Sequence, residues 1–144
     1  MAIILPLNNK NIKNEKGFKR YLMNNLKNTK NFLALFEIET EETVLGFPDV
    51  LAITKENRAV LYEFKYSNKQ GVIKFQPTQP AFYKANKELD IRVIALSEYR
   101  GEFYIHGFKV QELFREGSMY KMDGMNQVDL NPMRELLVGG GEVQ

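Results

Sequence analysis

The chain has 144 residues, 44% hydrophobic and 26% charged, with 20 Lys and Arg against 18 Asp and Glu, a single His and no Cys. That length and apolar content suit one domain with one core, and without cysteine there are neither disulfides nor thiolate metal ligands, in keeping with a reducing, cytoplasmic setting. A net charge of +2 neither demands nor excludes nucleic acid, no segment approaches the ~20 apolar residues that span a bilayer, and Met1–Leu7 lacks the charged start and long apolar run of a signal peptide.

The first predicted element is an amphipathic helix over Asn14–Leu26, with Phe18, Tyr21, Leu22 and Leu26 on one face and Glu15 one turn ahead of it. Lys10, Lys13, Lys16, Lys19 and Arg20 form a basic stretch along its flank. A strand is predicted for Phe32–Thr40, carrying Glu37 and Glu39. Val50–Thr54 and Ala59–Tyr66, rich in β-branched, aliphatic and aromatic residues, flank the wholly polar Lys55-Glu56-Asn57-Arg58 and read as a β-hairpin. Side chains alternate along a strand, so Glu63 and Lys65 share a face with Leu61 while Tyr62, Phe64 and Tyr66 take the other. With Glu56 at the centre of the turn, Asp49 falls opposite Glu63, at a Cβ separation of about 4.5–5.5 Å. Two carboxylates that close repel unless a cation joins them, and hard divalent ions prefer carboxylate, carbonyl and water oxygens.

A second helix is predicted from Phe75-Gln76-Pro77-Thr78-Gln79-Pro80, its prolines confined to the first turn and Phe82, Ala85 and Leu89 at helical spacing. Ile91–Leu96 reads as a buried strand, Glu102–Phe108 as a returning strand and Val110–Phe114 as a short helix. His106, the single histidine, sits among aromatics and reads as a packing or edge residue rather than a general base. After Gly117 periodicity is lost, four of the six methionines occur, and the chain ends near Gly139-Gly140-Gly141. A domain over 1–116 with a loosely ordered or partner-contacting extension over 117–144 is expected.

Gly46, Pro48 and Asp49, followed by Glu63-Phe64-Lys65, resemble the PD-(D/E)xK nuclease superfamily. The Gly-x-Pro-Asp form is most similar to its virus-type replication-repair and Holliday-junction-resolvase-like branches. The resemblance extends from the helix near Glu15 to the strand near Ser97. It implies an α/β fold with a restriction-endonuclease-like core, a mixed central β-sheet flanked by helices in the order αβββαβ, to which the C-terminal strand and short helix are added. It also implies metal ligation by Asp49, Glu63 and the backbone carbonyl of Phe64, with Lys65 orienting or activating the attacking water. Gln79, ahead of Gln76, matches a glutamine common in the first turn of the following helix. Glu15, ahead of Glu37 and Glu39, matches a third acid from the first helix. Mg²⁺ is the implied cofactor, with Mn²⁺ substituting.

Lys69, Lys74, Lys84 and Lys87 follow the acid pair and form the expected phosphate-binding set, a sequence-independent and salt-sensitive grip on a DNA backbone. The expectation is therefore a Mg²⁺-dependent endodeoxyribonuclease that selects branched DNA, a Holliday junction or a flap, because so small a domain leaves little room for a base-reading module. The resemblance also implies a homodimer, since junction resolvases of this type cut two symmetric strands with two sites. The alternatives are a restriction-type or general nuclease on linear DNA, and a noncatalytic nucleic-acid-binding domain of the same fold.

Overall fold

A computed structural model describes residues 3–7, 12, 14–38, 46–99 and 101–132. Its elements are β1 (Ile3–Leu7), α1 (Glu15–Asn28), β2 (Phe32–Glu37), β3 (Val50–Thr54), β4 (Ala59–Tyr66), β5 (Val72–Lys74), α2 (Thr78–Ala85), β6 (Asp90–Tyr99), β7 (Glu102–Lys109), a 3₁₀ turn over Val110–Leu113, and β8 (Gln127–Asp129). Six strands form one mixed sheet in the order β1-β7-β6-β4-β3-β2. β4 and β6 run parallel, and every other neighbouring pair is antiparallel. Parallel neighbours require a crossover, and β5 with α2 supplies it. The fold is thus α/β, and among the described residues no helix is long and apolar enough to cross a membrane.

Each face of the sheet carries its own apolar cluster. Asn14 caps α1 by accepting the Gly17 N–H at 2.8 Å, and Phe18, Leu22 and Met23 then bury against Val50, Ala52, Val60, Tyr62, Phe64 and Leu96. On the opposite face Tyr83 of α2, Val110 and Leu113 cover Leu61, Ile91, Val93, Ala95 and Phe108. Alternation along β4 thus sends Tyr62 and Phe64 towards α1 and the parity of Leu61, Glu63 and Lys65 towards α2.

Several expectations are corrected. β1 precedes α1 and pairs with β7 at the sheet edge, so the order is not αβββαβ but begins with a strand; Pro6 hides it from a reading of pattern, and an edge is where a strand tolerates proline. β2 is described only to Glu37, and Glu39 and Thr40 lie outside the described residues. α2 stops at Ala85 because Asn86 turns back on it, its N–H and its side-chain amide both donating to the Phe82 carbonyl. Leu89 consequently lies beyond the helix and is exposed. Residues 118–132 are not a loose extension: Tyr120, Val128 and Leu130 are fully buried in the cluster beneath α2, and β8 pairs with β5. The packed core therefore continues past the expected boundary at 116, and 133–144 lie outside the described residues.

Candidate functional site

Asp49 is positioned from both sides of its short loop. Gly46 has φ +85°, and a Cβ there would collide with the Thr78 carbonyl oxygen and stand 2.7 Å from its carbon. Only glycine lets the loop lie this tightly on the first turn of α2. Phe47 packs edge-on against Phe82 of the same helix at 5.4 Å. On the other side the Asp49 carbonyl accepts the Ile38 N–H at 2.8 Å, extending the β2–β3 ladder by one residue. β3 and β4 pair with Val50 opposite Tyr62 and Leu51 opposite Leu61. Continued by one residue, that register sets Asp49 opposite Glu63, with the parity of Leu51 and Leu61. The Asp49 Oδ2 accepts the Phe64 N–H at 2.8 Å, which fixes the carboxylate against β4.

Glu63 is 3% exposed. Its Oε1 accepts a hydrogen bond from the Gln79 Nε2 at 2.9 Å. Gln79 Oε1 accepts in turn from the Lys65 ammonium at 2.9 Å and from the Gln76 N–H at 2.8 Å. Both of those partners can only donate, so the amide orientation follows from them. The Lys65 ammonium also lies 4.5 Å above the Phe75 ring. Burial, then a hydrogen bond to Asp49 and its charge, push the Glu63 carboxyl up to about 9, against the pull of Lys65 and Lys19. Burial lowers the Lys65 pKa, with Glu63, Asp49 and Glu15 opposing the shift. A buried carboxyl pushed upward by a neighbouring acid, beside a desolvated lysine, is the kind of conflict that gathers at functional sites. Behind them Tyr83 is buried with no hydrogen-bond partner for its hydroxyl among the described residues. Burial and the charges of Glu63 and Asp49 raise its pKa.

Asp49, Glu63, Lys65 and Gln79 thus come together, with Gln76 contributing its backbone. The part of Phe64 seen in the site is its N–H. Glu15 stands at the rim, its ion pair made with Lys19, which lies 3.7 Å from Glu15 Oε1 and 3.4 Å from Asp49 Oδ1. Partial burial alone would lower the Lys19 pKa, but Asp49, Glu15 and Glu63 outweigh it and raise it. Lys19 was not singled out by the sequence reading, where it was one of five cations in a basic run; its position four residues after Glu15 was the available signal. Glu37 is opposite Val50, on the α1 face and away from Asp49, which removes it as a rival. The lysines do not form one cluster. Lys69 lies in a turn held by the Asn68 side chain, which accepts from Gln70 and Val72, and Lys74 is exposed on β5. Lys84 and Lys87 line a groove of about 440 Å³ with Tyr83, Gln111, Phe114 and Arg115. Lys84 is five residues beyond Gln79, roughly 8 Å along the helix axis at 1.5 Å per residue. Among the described residues none of the four forms an ion pair.

His106 is fully buried in β7, its Nε2 2.9 Å from Ser97 Oγ and its Nδ1 3.0 Å from the Tyr120 hydroxyl. It packs, as expected, and takes no part in the acid cluster.

The chain matches no protein-family model, and no curated protein is significantly similar to it. What the site can hold therefore rests on its own donors. Asp49 and Glu63 stand opposite each other across the hairpin and carry hard oxygen donors, and a divalent cation is one charge that would reconcile them. Among the described residues no group of three His, Cys, Asp or Glu converges, so water, phosphate or a backbone carbonyl would complete such a shell.

Proposed function

We propose that this chain is a Mg²⁺-dependent endodeoxyribonuclease of the PD-(D/E)xK type, built on a restriction-endonuclease-like core and acting in the cytoplasm on branched DNA as a homodimer. The observation that carries the reading is the convergence of Asp49, Lys65 and Gln79, from a loop, a strand and a helix start, on the buried Glu63. A divalent ion held there by Asp49, Glu63 and the Phe64 carbonyl, Mg²⁺ or Mn²⁺, would polarise the phosphodiester and lower the pKa of bound water. Gln79 bridges Glu63 and Lys65, so the lysine is aimed by the residue that also orients the acid. Lys65 donates to the attacking water or to a non-bridging phosphate oxygen and offsets the charge that develops there. The Phe75 ring beneath it keeps bulk water from that side. Lys69 and Lys74 near β5, and Lys84 and Lys87 in the groove beside α2, form no ion pair among the described residues and are suited to contact backbone phosphates.

The test is a cleavage panel with Mg²⁺ over a four-way junction, a flap, single-stranded DNA and matched linear duplex. Metal-dependent cutting of the junction or flap above the linear duplex, lost in Asp49→Ala, supports the reading. Equal cutting of all duplex forms returns a general nuclease, and binding without cutting returns a noncatalytic domain.

A further inference from the structure

Lys19 comes from α1, which packs on the face of the sheet opposite Glu63, yet its ammonium reaches round the start of β3 to Asp49. Of the two Asp49 oxygens, Oδ2 accepts the Phe64 N–H and Oδ1 faces Lys19. Lys19 stands 3.4 Å from that Oδ1. The same ammonium is 3.7 Å from Glu15, one helical turn back on α1. Residues four apart lie on one helix face, so a lysine side chain can pass between these acids by rotamer change alone.

We propose that Lys19 is a displaceable counter-cation: it occupies Asp49 Oδ1 in the metal-free site, yields it to a divalent cation, and is received by Glu15. The inference rests on the proposed cation site and assigns Glu15 a positioning role in place of metal ligation. Three features favour that role over a third ligand. The Glu15 side chain is 59% exposed, its ion pair is with Lys19, and no third acid converges with Asp49 and Glu63 among the described residues. A lysine fixed only to Asp49 would oppose every incoming cation. One with a second resting place withdraws without leaving its own charge unpaired.

The two roles for Glu15 separate in a double-mutant cycle read by Mn²⁺ affinity, measured calorimetrically on the full-length protein without DNA. Lys19→Gln is expected to tighten Mn²⁺ binding about two- to fivefold, the scale of a partly exposed ion pair removed from competition. Glu15→Gln alone is expected to weaken it about twofold, since Lys19 then stays on Asp49. The double variant should match Lys19→Gln, because Glu15 has nothing left to receive. An unchanged or weaker affinity in Lys19→Gln overturns the proposal. So does a loss on Glu15→Gln of equal size in both backgrounds, the signature of a direct ligand. If the wild-type protein binds no Mn²⁺ at millimolar concentration the cation site itself falls, and the inference with it; wild-type binding abolished by Asp49→Ala secures the site independently of Lys19. Thermal melts of each variant exclude misfolding as the cause.

Discussion

Two buried polar clusters among the described residues, around His106 and around Glu63, are built on opposite principles. Around His106, every group can both give and take a proton. A neutral imidazole offers one N–H and one lone pair, and the Ser97 and Tyr120 hydroxyls can each donate or accept, so either tautomer is satisfied. Tyr120 is then clamped by Phe108, stacked at 4.3 Å. Around Glu63, two acceptor-only carboxylates face one another, and a proton held up to about pH 9 is what reconciles them. The first cluster is a finished joint. The second stores a conflict that packing alone leaves open, and such local inconsistency marks sites retained for chemistry.

The largest test of that contrast is a double dissociation. Asp49→Ala and Glu63→Ala should each lower Mg²⁺-dependent cleavage on the order of 10³-fold or more while the thermal midpoint stays near or above the wild type. His106→Ala should do the reverse, costing about 2–4 kcal/mol by opening a cavity and stranding two hydroxyls, with cleavage per folded molecule retained. Denaturant melts and single-turnover assays on the same samples check both halves. Full activity in Asp49→Ala would end the contrast.

Lys65 offers the next largest effect. Its ammonium is held by Gln79 and the Phe75 ring, so Lys65→Ala should slow single-turnover cleavage about 10²-fold with DNA affinity changed little. A variant that cuts at the wild-type rate once saturated would make Lys65 a phosphate contact only.

Stability against pH sharpens the contrast further. Folded Glu63 keeps its proton up to about pH 9, whereas the unfolded chain releases it near 4.5. Between those values the folded state binds the extra proton, so the metal-free protein should lose stability as pH rises, by at most about 1.4 kcal/mol per pH unit from this group. Glu63→Gln should flatten the dependence between pH 5 and 8, read from denaturant midpoints across that range. An identical slope in wild type and variant would show that Glu63 does not hold the proton.

The smallest expected effects belong to the flanking lysines. Lys69→Ala and Lys84→Ala should each weaken DNA binding severalfold and reduce the salt slope by about one, leaving the saturated cutting rate intact. Titrations at several salt concentrations, without metal, provide the check.

The acid pair was legible in the sequence because it rests on short-range rules. A polar four-residue turn between two alternating apolar runs fixes the hairpin register, and the register fixes which side chains oppose. Gln79 was singled out through the resemblance, and the proline-marked helix start supplied only its place. Lys19 was not, because its reach to Asp49 depends on how α1 crosses the sheet, which no local pattern encodes. The Gly-x-Pro-Asp pattern pointed to Gly46, but the Thr78 carbonyl that requires it comes from a distant helix. β5 and β8, three residues each, are shorter than any periodic window. Tyr120, Val128 and Leu130 are buried by contacts with strands far back in the chain, so the stretch that carries them looked irregular by itself.

The hairpin that joins Asp49 to Glu63 also has a consequence in time. It closes over a four-residue turn, an event of roughly 1–10 μs for an isolated hairpin, while the β4–β6 pairing and the arrival of Gln79 must wait for a long crossover to close. Glu63 therefore meets Asp49 while its own carboxyl is still largely in water and, at neutral pH, ionised, since its unfolded value lies near 4.5. Folding must take up a proton before the strands can zip past that point, and acid supplies it in advance. Refolding of the metal-free chain is accordingly expected to run faster at pH 5 than at pH 8, and Glu63→Gln should remove the difference.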